Sequence, residues 1–417
     1  MSNGDRLERS HMLLILLVST ASFFEGYDFI ILNLILPFLQ RDFGLDNVRI
    51  GLAVSAIALG TIAAFFIIRL GDRFGRRALL IWTVLGYTVA TALTAFTRGI
   101  YSFVALQFVA RAFLVAEWGI STVIVAEEVP AARRGLGISI VQAAAGVGGI
   151  VGSAIFPLFL KTAMGWRSMY LVGLVPLVVV FFIRTSVKET RRFSQLKTQA
   201  ADAPSFSEIL AKPQRGKLVL VALLWCFMYL GYQAVYTFYV KFAMDERGLS
   251  PGQVSLIAAV AFTLGLGGFI AAGRLMDGWG RRPTAIAFFG AGGICTALAF
   301  EAPASLLGPA LVVLIFFMTS YLTICGTYTA ELFPTRLRAS AAAWTNNTLG
   351  RVGMVLSPTL VGLLSVPLGG IGPAVSLMGL FPVLCALIVL FFLPETKKRE
   401  LEVTGELAIE GAGGSRP

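Results

Sequence analysis

Long apolar runs broken by short polar stretches dominate the chain. Runs near the ~20 residues that cross about 30 Å of hydrocarbon lie at roughly 12–38, 48–70, 79–96, 100–126, 136–160 and 168–185. A second six follow at about 217–240, 252–275, 283–300, 308–330, 339–365 and 371–393, each near a constant offset from its partner. The every-second-residue alternation of a barrel strand is missing, and a backbone in lipid must satisfy its own polar groups. The pattern therefore predicts an all-α membrane protein with twelve transmembrane helices, numbered here as spans 1 to 12.

The polar breaks repeat as well. Arg69-Leu-Gly-Asp72-Arg73-Phe-Gly75-Arg76-Arg77 returns as Arg274-Leu-Met-Asp277-Gly-Trp-Gly280-Arg281-Arg282, displaced by about 205 positions. Nearly the same displacement pairs Gly26-Tyr27-Asp28 with Gly231-Tyr232-Gln233, Glu127 and Arg134 with Glu331 and Arg338, and Glu189-Thr190 with Glu395-Thr396. Four landmarks in one order argue duplication, and halves of roughly 200 residues are too long for a solenoid. Two halves running in the same direction follow the parallel-repeat plan of many membrane transporters, which places a binding site at mid-membrane. The expected domains are six-helix bundles over 1–185 and 217–396, a cytoplasmic linker over 186–216 and a tail over 397–417. Within the linker, Phe206, Ile209 and Leu210 are spaced for one face of a short surface helix.

Composition agrees: 57% of residues are apolar, only 14% are charged, and the mean hydropathy is +0.80. Soluble chains have roughly half and a quarter. The net charge of +11 is not a nucleic-acid footprint, because Lys and Arg gather in alternate connections (Arg133 and Arg134, Lys188 to Lys217, Arg281 and Arg282, Lys397 to Arg399). The positive-inside rule then puts both termini and the linker in the cytoplasm of a multi-pass plasma (inner) membrane protein. Span 1 lacks a small-residue cleavage site before its charged positions and reads as a retained helix. Cys226, Cys295, Cys325 and Cys385 stand singly in apolar runs and read as packing residues, and His11 lies at the edge of span 1. With no nucleotide-binding loop, zinc cluster or nucleophile–base pair in the sequence, we expect neither a cofactor or metal nor covalent chemistry.

The costly residues are the charges at bilayer depth, where one carboxylate costs about 2.5–3.5 kcal/mol even on the lenient insertion scale. Glu25 and Asp28 fall inside span 1, Arg111 and Glu117 inside span 4, and Arg351 inside span 11. The repeat partners of Glu25 and Asp28 are Leu230 and Gln233, and those of Arg111 and Glu117 are Phe316 and Leu322, so ionisable groups concentrate in the first half. That asymmetry suits one half handling a proton while the other shapes a substrate site. Asp28 is the leading proton carrier, with Glu25 and Glu117 as rivals; the alternative is an ion pair between spans 1 and 4 through Arg111 that only fixes packing. Arg351, a permanently charged forked donor, suits a carboxylate substrate or else pairs with a protein carboxylate. Arg111, Asn346, Asn347, Gln142, Tyr27, Tyr232, Gln233, Tyr236 and Tyr321 complete the candidate binding set, with Gln142 and Asn347 related by the repeat offset.

Asp72-Arg-Phe-Gly-Arg-Arg77 and Gly273-Arg-Leu-Met-Asp277-Gly-Trp-Gly-Arg-Arg282 resemble the loop between helices 2 and 3 of the major facilitator superfamily, with Ile68 replacing the leading glycine in the first copy. Glu117-Trp118-Gly119, Glu127-Glu-Val-Pro130 with Arg134, Gly165-Trp166-Arg167 and Gly350-Arg351-Val-Gly353 with Pro358 are similar to its metabolite:proton symporters, the sialate/lactate and aromatic-acid branches. Pro394-Glu395-Thr396 is similar to sugar porters. The resemblance implies a major facilitator fold and a conformational latch at Asp72, Arg73, Gly75, Arg76, Arg77, Glu127 and Arg134, and again at Asp277, Gly280, Arg281, Arg282, Glu331 and Arg338. The expectation is a monomeric secondary transporter in the lipid bilayer, coupling protons to symport of a small organic anion by alternating access, with no nucleic-acid partner. The rivals are a proton-coupled sugar or polyol importer and a proton-antiport exporter.

Overall fold

The computed structural model describes residues 9–74, 76–129, 134–175, 212–334 and 337–397. Among them there is no strand. The helices are α1 (Arg9–Phe43), α2 (Asn47–Ala58), α3 (Gly60–Phe74), α4 (Arg76–Thr94), α5 (Ile100–Glu128), α6 (Arg134–Phe159) and α7 (Ser168–Val172). After the residues not described come α8 (Lys212–Lys241), α9 (Pro251–Gly278), α10 (Arg281–Glu301), α11 (Ala304–Leu332), α12 (Arg338–Trp344), α13 (Arg351–Ser365), α14 (Ile371–Met378) and α15 (Leu380–Phe392).

Nine described stretches are long and apolar enough to cross a membrane, and Ala78–Thr94 and Ala143–Phe159 are shorter apolar helices. They fall on eleven of the twelve expected spans; the sixth begins with α7 and runs into residues outside those described. The linker helix at Ser205 to Lys212 and the tail beyond 397 also lie outside them, as does the side chain of His11. Large apolar side chains such as Phe66, Trp82, Leu264 and Phe391 stand exposed, as lipid-facing positions require.

The described residues form two compact units, one from 9–46, 56–175 and 250–259, the other from 47–55, 212–249 and 260–397. In the first unit α1 packs most extensively on α6. Glycines allow it: a Cβ on Gly148 would fall on the carbonyl of Phe23, and one on Gly152 would meet Ile30 Cγ2 at 2.8 Å and the Tyr27 ring at 3.1 Å. The second unit repeats the device between α8 and α13. There a Cβ on Gly353, 205 positions after Gly148, would fall on the carbonyl of Cys226. Close backbone approach supplies the dispersion contact that replaces a hydrophobic drive in lipid. We expect Gly148→Val to destabilise the first unit by about 1–3 kcal/mol through overpacking, read as a lowered melting temperature in detergent. An unchanged melting temperature would show that α1 and α6 do not cross this tightly.

Also in the second unit, the backbone N–H of Thr359 donates to Ser55 Oγ at 3.1 Å and the two hydroxyls lie 2.7 Å apart, so the first turns of α2 are held against α13.

Candidate functional site

Asp28 sits near the middle of α1, only 1% exposed, with neither carboxylate oxygen hydrogen-bonded. Neighbouring Tyr27, equally buried, turns its hydroxyl away and donates to the Met169 carbonyl at 2.9 Å. From α5, Arg111 is 6% exposed and its guanidinium lies 5.3 Å from the centroid of the Phe29 ring, within electrostatic reach of Asp28. One and a half turns along α5, Glu117 is also buried, and its Oε1 accepts the Ser121 hydroxyl at 2.5 Å. Glu25 is half-buried on α1. Asp28 and Arg111 make no direct hydrogen bond in this state. A buried carboxylate with two unfilled acceptors is a group that gains by taking a proton or a donor.

The second unit holds the other candidates. A π turn over Thr345–Gly350 joins α12 to α13. Its i→i+5 repeat brings residues five apart nearly into line, so Asn346 and Arg351 share a face where an ideal α-helix would set them roughly 140° apart. Tyr229 on α8 ties them together: its hydroxyl donates to Asn346 Oδ1 at 2.8 Å, and its ring lies within electrostatic reach of Arg351. Arg351 Nε is buried without a partner, so part of the guanidinium fork is unfilled. Along α8, Tyr232 and Tyr236 stack with centroids 4.2 Å apart, and Gln233 Nε2 donates to Thr237 Oγ1 at 2.8 Å while its Oε1 has no partner. Trp225 stands over Tyr229 at 5.6 Å and donates to Thr329 Oγ1 at 2.9 Å. Asn347 is half-buried in the same π turn. Tyr321 is not part of this group; it is fully buried against Phe289, with centroids 4.7 Å apart, and crowds Gly292.

A third cluster lies where α9 gives way to α10. Arg281 grips Glu331, with its Nη2 3.0 Å and its Nε 3.2 Å from Oε1, and reaches Asp277 at 3.1 Å. The Glu395 carboxylate accepts the backbone N–H groups of Arg281 at 2.9 Å, Arg282 at 3.0 Å and Lys397 at 2.8 Å, placing an anion on the N-terminus of α10. Thr396 donates to Glu331, and the Lys397 ammonium donates to the Gly278 carbonyl. Gly280 has φ +126°, and a Cβ there would meet Glu395 Oε2 at 2.6 Å, so glycine is needed on both counts. Burial alone would raise the Glu395 carboxyl, but hydrogen bonds from the N–H groups of Arg281, Lys397, Arg282 and Thr396 outweigh it and hold the group below the usual carboxylate range. A depressed folded value stabilises above the unfolded value, and the contribution is lost as pH falls through the folded one. Accordingly, Glu395→Ala should melt lower than the wild type at neutral pH, by the roughly 1 kcal/mol typical of a helix cap, and converge with it in acid. A pH-independent gap in detergent melting curves would contradict this role.

The family model for the Major Facilitator Superfamily matches residues 18–358 and 234–410. The chain belongs to the major facilitator superfamily. It is 26% identical to the niacin transporter NiaP of Acinetobacter baylyi over 95% of this chain and 96% of that protein. To the cis,cis-muconate transport protein of the same organism it is 27% identical, over 89% and 91%. The fold is that of the xylose transporter XylE from E. coli, with a TM-score of 0.79 at 18% identity, covering 95% of this chain and 99% of that one. As a superfamily member the chain is a multi-pass membrane transporter with the twelve-helix fold, and not an enzyme.

Within the superfamily signature, the first-copy latch residues Asp72, Arg73, Arg76, Arg77, Glu127 and Arg134 lie on described helices, but their side chains are outside the described residues, as are Gly75 and the side chain of Gln142. In the second copy, Asp277, Gly280, Arg281, Arg282 and Glu331 come together; Arg338 begins α12. Tyr229, Trp225, Glu395 and Tyr87 were not singled out from sequence as site residues. Glu395 was visible as a repeated Glu-Thr pair and as part of the sugar-porter-like Pro394-Glu395-Thr396 stretch, with no sign of its partners. Tyr87 on α4 lies within electrostatic reach of Asp28, Tyr27, Glu117 and Arg111, and reads in the sequence as one more aromatic in an apolar run.

Proposed function

We propose that this transporter couples protons to symport of a small organic anion, a carboxylate or aromatic acid, by alternating access as a monomer, with both termini cytoplasmic. The observation that carries the reading is Asp28, a carboxylate at mid-helix depth with both oxygens unfilled and Arg111 within reach. Its ionised form is costly there, so protonation and the binding of a compensating group are linked. Arg351 with Asn346 and Tyr229 offers a forked cation beside neutral donors and aromatic rings, which suits a planar carboxylate. Niacin and cis,cis-muconate, named for two relatives, are small planar carboxylic acids. The membrane potential adds about 2.3 kcal/mol per net charge per 100 mV, so it drives uptake only if protons outnumber the negative charges carried.

The polyol or sugar reading keeps one observation in its favour, the Pro394-Glu395-Thr396 stretch, but Glu395 is occupied with the α10 N-terminus. Proteoliposomes loaded at neutral pH and diluted into acidic medium separate the readings. Accelerated uptake of labelled niacin or muconate, competed by small carboxylates but not by xylose, supports the proposal. Uptake of xylose alone, or efflux driven by the same gradient, overturns it.

A further inference from the structure

A carboxylate ties the first span to the sixth in each unit, away from the site described above. With both termini cytoplasmic, Asp42 at the end of α1 and Glu246 just beyond α8 stand at the outer ends of spans 1 and 7, 204 positions apart. In the first unit Asp42 holds the start of span 6: its Oδ2 accepts Trp166 Nε1 at 2.9 Å and Arg167 Nη1 at 2.7 Å. The Arg167 guanidinium lies 4.3 Å from the centroid of the Trp166 ring, which Phe103 of α5 meets edge-on. In the second unit Glu246 holds the start of span 12. Its Oε1 accepts the backbone N–H of Ile371 at 2.5 Å and its Oε2 that of Gly372 at 3.1 Å, the first two residues of α14. Next to it, Arg247 lies over the Phe242 ring at 4.4 Å and donates to the Ala302 carbonyl at 2.7 Å, which holds the end of α10. Each carboxylate meets its partners just after a glycine at positive φ, Gly165 at +55° and Gly369 at +76°, again 204 positions apart. The geometry recurs although the donors differ, side chains in one copy and backbone in the other, so what the copies share is the tie itself.

We propose that these two clasps fasten the first span of each half to its sixth, so that each pair moves as one piece while the carrier changes its access. This rests on the alternating-access reading above and not on proton coupling. α1 carries Asp28, and α8 carries Tyr229 and Gln233, so the fastened helices are those that bear candidate site residues in both halves. Asp28 lies about four turns, some ~21 Å, before Asp42 on the same helix. A helix held at its α6 crossing and again at its outer end turns only together with its partners. Reorientation then carries Asp28 with the whole pair and does not bend α1 alone.

The test on the purified full-length protein has two arms. Hydrogen–deuterium exchange reads the clasps without substrate. In Asp42→Ala the amides of 165–172 should exchange about tenfold faster or more while 369–378 keep the wild-type rate, and Glu246→Ala should show the reverse. In both variants residues 22–30, at the α1–α6 crossing, should exchange as in the wild type. Counterflow of labelled niacin in proteoliposomes reads the motion, and each variant should lose about tenfold in maximal rate with KM unchanged. Asp42→Cys with Arg167→Cys, in a parent whose Cys226, Cys295, Cys325 and Cys385 are replaced by alanine, should be equally slow. Joining the two new thiols with a short bifunctional reagent should restore the rate of that parent. A link that stops counterflow would make the contact a gate that opens; faster amide exchange with wild-type counterflow would reduce it to a local cap; unchanged amide exchange, or a gain that spreads to 22–30, would leave no clasp. Each of these overturns the proposal. If the wild type shows no niacin counterflow, the organic-anion reading falls instead, and the amide arm alone decides the clasps.

Discussion

Asp28→Asn protein should exchange substrate across a membrane at near wild-type rate and yet fail to accumulate it. An amide mimics the protonated carboxyl in shape and charge, so the loaded carrier can still reorient, but it has no proton to release. One proton moving down a gradient of one pH unit supplies about 1.4 kcal/mol, enough for roughly tenfold accumulation, so a two-unit gradient should give about 100-fold in the wild type and none in the variant. Exchange is read by counterflow of labelled niacin or muconate in proteoliposomes, and accumulation by the same vesicles under the pH gradient. The position of Asp28 makes the prediction specific, because the residue has no hydrogen-bond partner whose loss would unfold the helix pair. If Asp28 served packing alone, both assays would fall together.

The second large effect is expected at Arg351. Removing one partner of a buried charge-assisted contact costs about 2–5 kcal/mol, so Arg351→Ala should raise the apparent KM for an organic anion by roughly 30-fold or more. Arg351→Lys should recover little, since a point charge on a flexible stem cannot replace a planar fork whose Nε lies buried and unfilled. Tyr229→Phe, which strips the hydroxyl from Asn346, should raise KM by a smaller factor with maximal rate preserved. An Arg351→Ala transporter with wild-type KM would assign Arg351 to architecture.

The spans and the duplication were legible because both are periodic along the chain: the length of an apolar run reports bilayer thickness, and the offset of about 205 survives substitution between the copies. The Gly148 and Gly353 crossings were half legible. Small residues in an apolar run announce close approach, but only coordinates show that the partners are the carbonyls of Phe23 and Cys226. Asn346 and Arg351 were grouped in the sequence as neighbours one turn apart, but the π turn that aligns them was hidden, because a five-residue spacing on a regular helix separates them and nothing local announces it. Glu395 was missed because its partners include the backbone N–H groups of Arg281 and Arg282, more than a hundred residues away. Tyr87 carries no signal beyond its residue type, since the charged groups within its electrostatic reach stand on α1 and α5.

The most direct test of proton coupling is the movement of protons themselves. Sodium-free proteoliposomes holding a trapped pH-sensitive dye, with protein-free vesicles as the baseline, are given cis,cis-muconate or niacin on the outside. Lumenal acidification that exceeds the baseline, grows with the anion concentration and disappears in Asp28→Asn is the predicted result; anion entry without acidification, or acidification that survives Asp28→Asn, contradicts it.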